Sequence, residues 1–134
     1  MGIASVSGAA AGVSIDINLF DAREAVQVPD DDADALYRDR ETTASATRAA
    51  EVWTARLAAH TRDFESAWKL ARVQYWLGTN GLPEARRRAA LEQGIVAGRA
   101  AAAIEPRRPE GLFWTAANMG ALAESFGLRQ GIKY

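Results

Sequence analysis

Residues 63–83 read D-F-E-S-A-W-K-L-A-R-V-Q-Y-W-L-G-T-N-G-L-P and contain the start and stop signals of a helix. Asp63 is a residue type that caps helix N-termini, so a helix is predicted to begin near Phe64. The turn-forming residues from Gly78 to Pro83 predict that this helix ends near Leu77. The stretch therefore indicates one helix followed by a loop.

The sequence on either side of this helix predicts four more. Acidic residues at 30–32 favour a helix N-terminus directly after them, and Thr42 or Thr43 can cap the next helix. Pro83 suits a first helical turn, and the helix that it begins is predicted to end before Pro106 and Pro109. The predicted fold is mainly α, with helices over about residues 33–40, 43–60, 64–77, 84–104 and 109–125.

The fourth predicted helix has unusually small residues on one side. Gly94, Gly98 and Ala101 recur at spacings of four and three, which places them together on one helix face. Because these residues carry little or no side chain, they permit close approach of a neighbouring helix. We therefore expect tight helix packing along this face.

One segment near the beginning predicts a strand instead of a helix. In residues 12–20, G-V-S-I-D-I-N-L-F, the apolar and polar residues alternate. A lone strand leaves its backbone groups unpaired, so it needs a mate. The mate can be residues 3–7 in a hairpin, a strand of a partner protein, or the same strand in another copy. The apolar, self-associating positions are Val13, Ile15, Ile17 and Leu19.

These patterns divide the chain into two parts. Residues 1–28 are predicted to form an extended β arm, and residues 29–134 a helical domain. With 134 residues, 49% of them hydrophobic and 25% charged, the chain matches one ordinary domain. No window approaches the roughly 20 apolar residues of a membrane span. The first residues lack the basic start that is typical of a signal peptide.

The net charge of −1 disfavours nucleic acid as a partner, because phosphate binding needs a basic excess. The charge is nevertheless unevenly distributed. Residues 1–66 carry 6 basic and 12 acidic side chains, and residues 67–134 carry 10 and 5. Such polarity can attract copies of the chain head to tail, or it can simply keep the protein in solution.

Two stretches resemble parts of a tetratricopeptide repeat. Residues 67–78, A-W-K-L-A-R-V-Q-Y-W-L-G, resemble its first helix, and residues 100–106, A-A-A-A-I-E-P (ending in Pro106), resemble the exit of its second helix. The likeness implies antiparallel helix pairs stacked as an α-solenoid.

A more specific resemblance covers about residues 33–134. The stretches A-L-Y-R-D-R at 35–40, F-E-S-A-W-K-L-A-R at 64–72, Y-W-L-G at 75–78 and the run from Gly111 to Gly131 look like the TatT family, the T component associated with tripartite ATP-independent periplasmic transporters. The resemblance implies a protein of the cell envelope, periplasmic or extracellular, that contacts partner proteins. It also implies a possible apolar ligand and no catalysis.

Residues that would demand a reaction are scarce. There is no cysteine, and the single histidine, His60, is predicted to stand at a helix end. The acidic residues from Asp30 to Asp34 lack the glycine and glutamate of a calcium loop, so helix capping is the better interpretation. No nucleophile motif or phosphate-binding loop is present. We predict no catalytic residue, no cofactor and no metal site.

The aromatic residues are the most informative candidates for binding. Each buries a large area, and its polar edge can meet a ligand or peptide. Most are expected in the core, but in stacked helix pairs some side chains line a concave surface. Tyr75, Trp76, Trp114 and Asn118 are the candidates for a partner or ligand groove.

Two functions are thus predicted. The first is a non-enzymatic helical-repeat module that binds a protein partner, as the TatT resemblance implies. The second is a self-assembling structural subunit that forms a homo-oligomer or filament through its N-terminal strand and helix stacking.

Overall fold

The structure is a computed structural model that describes residues 28–127. The predicted β arm, with Val13, Ile15, Ile17 and Leu19, lies outside these residues. The described part is mainly helical, as predicted, and each helix end falls within about two residues of its expected place. The helices are α1 (Ala33–Arg38), α2 (Thr43–Ala59), α3 (Phe64–Trp76), α4 (Glu84–Ile104) and α5 (Pro109–Phe126).

Two of the predicted helix caps are formed by aspartate side chains. Asp32 Oδ1 accepts a hydrogen bond from the Ala35 N–H at 3.0 Å. Asp63 accepts from both the N–H and the hydroxyl of Ser66, at 3.0 and 2.7 Å. Thr42 stands at the N-cap of α2 but makes no side-chain cap bond, so this part of the capping prediction was wrong.

The segment after α3 continues as one π-helical turn, Leu77–Gly81, where the sequence predicted a plain loop. The Leu82 N–H donates to the Leu77 carbonyl at 3.2 Å, which widens the last turn. The Thr43 hydroxyl donates to the Gly81 carbonyl at 3.1 Å. A contact with the start of α2 therefore helps to hold this turn.

Successive helices from α2 to α5 run antiparallel. The bond between Thr43 and Gly81 places the start of α2 beside the end of α3. Gln74 of α3 bonds Gln93 of α4. Further contacts pair the end of α4 with the start of α5. Consequently α2 and α4 run in one direction, and α3 and α5 in the other.

The contact between α4 and α5 depends on glycine, which confirms the expected close approach. A Cβ on Gly94 would lie 2.2 Å from Asn118 Oδ1, and one on Gly98 would lie 2.9 Å from the backbone nitrogen of Thr115. Both distances are shorter than van der Waals contact allows. A larger residue at Gly94 would displace the Asn118 side chain, and one at Gly98 would push the backbone of α5 away.

The segment before α1 is fixed to α2 by two arginines. Arg48 donates to both carboxylate oxygens of Asp31, at 3.0 and 3.1 Å. Arg56 donates to the backbone carbonyl of Asp31 at 2.6 Å. The hydrogen bond from Arg48 holds the pKa of the Asp31 carboxyl below its usual range. These bonds fix the position of the segment before α1 relative to α2.

The core lies between the helices in three clusters of buried residues. The largest joins α1, α2, α3 and part of α4, and includes Trp53, Val52 and Val73. A second joins α4 and α5 around Leu91, Ile95 and Leu122. The third joins the start of α3 to the end of α4 through Phe64, Ala67 and Ala101.

Candidate functional site

A long groove runs between α2 and α4, with α3 as its floor. It consists of two adjoining cavities of about 510 and 410 Å³ that share Thr54, Gln74, Ala89 and Gln93. We call it the α2–α4 groove. Besides those four, its lining residues are Thr47, Ala50, Glu51, Ala55, Leu57, Ala58, Leu70, Leu77, Leu82, Arg86, Ala90, Glu92, Val96, Ala97 and Ala100.

The walls of the α2–α4 groove are mainly small or apolar side chains. Alanine recurs along both helices, which keeps the groove wide and lets another backbone come close. Val96 stands on its rim with 70% of its surface exposed, an unusual fraction for a large aliphatic residue. The groove is therefore an apolar surface without a cover in the described part of the chain.

The floor of the groove has one central polar feature. Gln74 is buried, and its Nε2 donates to Gln93 Oε1 at 3.1 Å. This bond does not use the other amide atoms of the pair, Oε1 of Gln74 and Nε2 of Gln93. They can accept from and donate to a polar group of a molecule in the groove.

Charged residues lie towards one end of the groove and along one wall. Glu51 pairs with Arg48 at 3.3 Å, and Glu92 pairs with Arg88 at 3.3 Å. Arg86 is exposed near the end where α4 begins. With charges of both signs, the groove has no strong preference for an acidic or a basic occupant.

The four residues predicted for a groove do not line this one. Tyr75 and Trp114 are half-buried, and their rings lie 5.7 Å apart on the side of α3 and α5. Tyr75 also borders a shallow cleft of about 720 Å³ between the end of α3 and α5. Trp76 lies elsewhere, because its indole N–H donates to the Arg40 carbonyl at 3.0 Å.

Asn118 is fully buried and joins helices to one another. Its Nδ2 donates to the carbonyls of Ala71 at 3.1 Å and Trp114 at 2.7 Å. Its Oδ1 faces Gly94 without a hydrogen-bond partner. The geometry is that of a buried polar contact between α3, α4 and α5.

Several other predictions concern residues that the structure places on the surface or does not describe. His60 is exposed at the C-cap of α2, as expected. The strand positions 13, 15, 17 and 19 lie outside the described residues.

Among residues 28–127, no group of three or more acidic or histidine side chains could hold a metal ion. In that same range, no helix has the length and apolar character needed to cross a bilayer.

Comparisons with family models, with curated proteins and with solved structures found no match to this chain.

Sequence reasoning missed the α2–α4 groove because alanine, its main lining residue, is equally common in helix cores. A weak signal was present. Thr47, Ala50, Thr54 and Ala58 recur at spacings of three and four on α2, on a face that borders the core at Ala50. A second small-residue face of this kind indicates a second packing partner.

Proposed function

We propose that this chain is a non-enzymatic protein-interaction module that binds an amphipathic helix of a partner protein in the α2–α4 groove. The observation that carries the proposal is the groove itself, bounded by two parallel helices and left open in the described residues. Apolar grooves between helices accept helices as occupants in a recurring mode of recognition.

The dimensions of the groove favour a helix. Its wall on α4 extends from Arg86 to Ala100, which corresponds to about 21 Å or four helical turns. Alanine on both walls lets an occupant approach closely, and Leu57 and Val96 supply larger apolar contacts. The Gln74–Gln93 pair can bind one polar side chain of the occupant. A partner helix with one apolar stripe and few charges fits this surface.

The TatT resemblance supports the same class of function. It implies an accessory protein of the cell envelope that works through contacts with partner proteins. Under this proposal the antiparallel helices are units of an α-solenoid, and residues 1–28 are an extended arm beside it. An apolar small molecule is the other occupant that the resemblance implies for a groove of this character.

A photoreactive amino acid placed at Val96 tests the proposal in the cells that make this protein. We expect one crosslinked protein of defined mass, because Val96 stands on the groove rim. The same amino acid at Ala44, which is exposed and lines neither cavity, is the control. Equal crosslinking from both positions, or none from Val96, contradicts a groove-bound protein. Recovery of a lipid alone would assign the groove to an apolar ligand.

A second function, self-assembly, is supported by a different surface. Leu112 and Phe113 on α5 are 63% and 61% exposed, a rare degree for two adjacent large apolar residues. A second copy of the chain stacked on α5 would cover them. The predicted pairing of the N-terminal strand would join copies in the same way.

Mass measurement by light scattering tests this second function. If copies stack through α5, wild-type protein at micromolar concentration is a dimer or larger, and Phe113→Glu shifts it to the monomer. Ala103→Glu, at an exposed alanine of α4, should leave the mass unchanged. A wild-type monomer removes the self-assembly proposal and leaves the partner-binding proposal intact.

A further inference from the structure

An open cleft between α1 and α3 concentrates cationic side chains away from the α2–α4 groove. The cleft has a volume of about 520 Å³. Its cationic residues are Arg38, Arg40, Lys69 and Arg72, and its acidic residues are Asp34 and Glu65. Four positive charges thus face two negative charges in one small cleft.

Aromatic rings hold the two central arginines in place. The guanidinium carbons of Arg72 and Arg40 lie 3.7 and 4.4 Å from the centroid of the Tyr37 ring. Arg72 also lies 5.0 Å from the Trp68 ring, and Arg40 lies 4.9 Å from the Trp76 ring. These ring contacts restrain both guanidinium groups without using their terminal Nη–H donors.

These donors are only partly satisfied within the described residues, where Arg40 Nη1 donates to the Tyr37 carbonyl at 3.2 Å. The Nε atoms of Arg40 and Arg72 are buried without a hydrogen-bond partner. The nearest acid to Arg72 is Asp34, at 4.0 Å, which is too long for a hydrogen bond. Burial also lowers the pKa of the Arg72 guanidinium, which means that its charged form is held at a cost.

The two carboxylates of the cleft are already engaged by other donors. Lys69 Nζ lies 3.1 Å from Asp34 and 3.8 Å from Glu65. Glu65 also accepts from the Trp68 indole N–H at 3.1 Å. The arginines therefore retain an excess of positive charge that the neighbouring acids do not neutralise.

We propose that this cleft binds an oxyanion group, a carboxylate or a phosphate, through the guanidinium edges of Arg72 and Arg40. A guanidinium presents paired N–H donors that match either group, and a ring-stacked guanidinium needs little reordering to bind it. Tyr37 and Trp68 give the bound molecule an aromatic wall. The site is separate from the α2–α4 groove and does not depend on the proposed partner helix.

Tryptophan fluorescence of the full chain tests the site, because the indoles of Trp68 and Trp76 lie against the two arginines. Sodium phosphate and sodium succinate are titrated separately at constant ionic strength, with sodium chloride as the reference. We expect a saturable change with a dissociation constant of about 10 mM or lower for at least one of the two anions. The anion that saturates identifies the group as phosphate or carboxylate.

Variants separate a binding role from a structural one. Arg72→Gln should weaken binding about tenfold or more, while Arg107→Gln, at an exposed arginine outside both the cleft and the α2–α4 groove, should leave it unchanged. Circular dichroism establishes that each variant is folded. If Arg72→Gln fails to fold, Arg72→Lys, which retains the positive charge, takes its place. Arg72→Lys should also bind the anion more weakly than wild type. A response no greater than that to chloride, or wild-type binding by the folded Arg72 variant, overturns the proposal.

Discussion

At the residue scale, glycines in the two long C-terminal helices differ in what surrounds them. A Cβ on Gly98 would meet the backbone of Thr115, whereas one on Gly120 would have no atom within 4 Å. We expect Gly98→Ala to lower the free energy of unfolding by about 1–3 kcal/mol, because α5 must move. Gly120→Ala, the matched control, should be neutral or stabilise by up to about 1 kcal/mol.

Urea unfolding followed by circular dichroism measures both glycine variants. Equal stability of Gly98→Ala and wild type would mean that α4 and α5 are farther apart than described. A clear loss in Gly120→Ala would mean that its face of α5 is covered.

Asp31 provides a prediction for the dependence of stability on pH. Its carboxyl has a pKa below the ordinary value of 3.8, because Arg48 donates hydrogen bonds to the ionised form. The unfolded chain therefore takes up this proton at a higher pH than the folded chain does. The stability that Asp31 contributes is fully present above the pKa that its carboxyl has in the unfolded chain. It is lost as the pH falls through the lower pKa of the same carboxyl in the folded chain.

The comparison is between wild type and Asp31→Asn in urea unfolding from about pH 7 to about pH 2. Wild type should be the more stable protein at neutral pH, and the difference should close in acid. The pKa of Glu110 is also lowered, by a hydrogen bond from Arg108. Because Glu110 is present in both proteins, its contribution cancels in the difference between their stabilities. A difference that stays constant or widens in acid contradicts the assigned Asp31–Arg48 contact.

Single residues also mark where sequence reasoning reached its limit. Gly94 and Gly98 were predicted as points of close approach, because small residues at helical spacing have few other uses. The position of Asn118 could not be predicted in the same way. An asparagine is buried only where its donors find acceptors, and one acceptor here is the carbonyl of Ala71, 47 residues earlier in the chain.

At the scale of elements, helix starts provide a direct comparison between two caps. The Asp63 side chain bonds Ser66 at the N-terminus of α3, whereas Thr42 makes no such bond at α2. Asp63→Ala should therefore lower the free energy of unfolding by about 0.5–2 kcal/mol. Thr42→Ala should change it by no more than a few tenths of a kcal/mol. Thermal unfolding of the two variants decides the matter, and equal losses would contradict the difference in capping.

Helix positions were largely predictable because their signals are local. Capping aspartates, prolines in first turns and apolar spacing lie within a few residues of the ends that they specify. The π-helical turn was not predictable, since its hydrogen bonds compete closely with those of an ordinary helix end. Its shape is supported by Thr43, which lies more than 30 residues earlier in the chain.

At the scale of the whole molecule, the helices form two surfaces with different chemistry. The α2–α4 groove is lined mainly by alanine and other apolar side chains with a few polar and charged groups, and the cleft between α1 and α3 is rich in arginine and aromatic rings. Neither surface was predictable from the sequence, because each combines residues from helices that meet only in the fold. Tyr37 and Arg40 are near neighbours in the sequence, for example, but Arg72, which contacts the same ring, belongs to α3.

The most direct test of the proposed function is the affinity for the partner that crosslinking at Val96 identifies. Isothermal titration compares wild type with Ala58→Trp, which fills the groove, and with Ala59→Trp, at the next residue, which is equally exposed but lines neither cavity. We expect Ala58→Trp to weaken binding about tenfold or more and Ala59→Trp to leave the affinity within about twofold of the wild-type value. Equal affinities of the two variants would contradict binding in the α2–α4 groove.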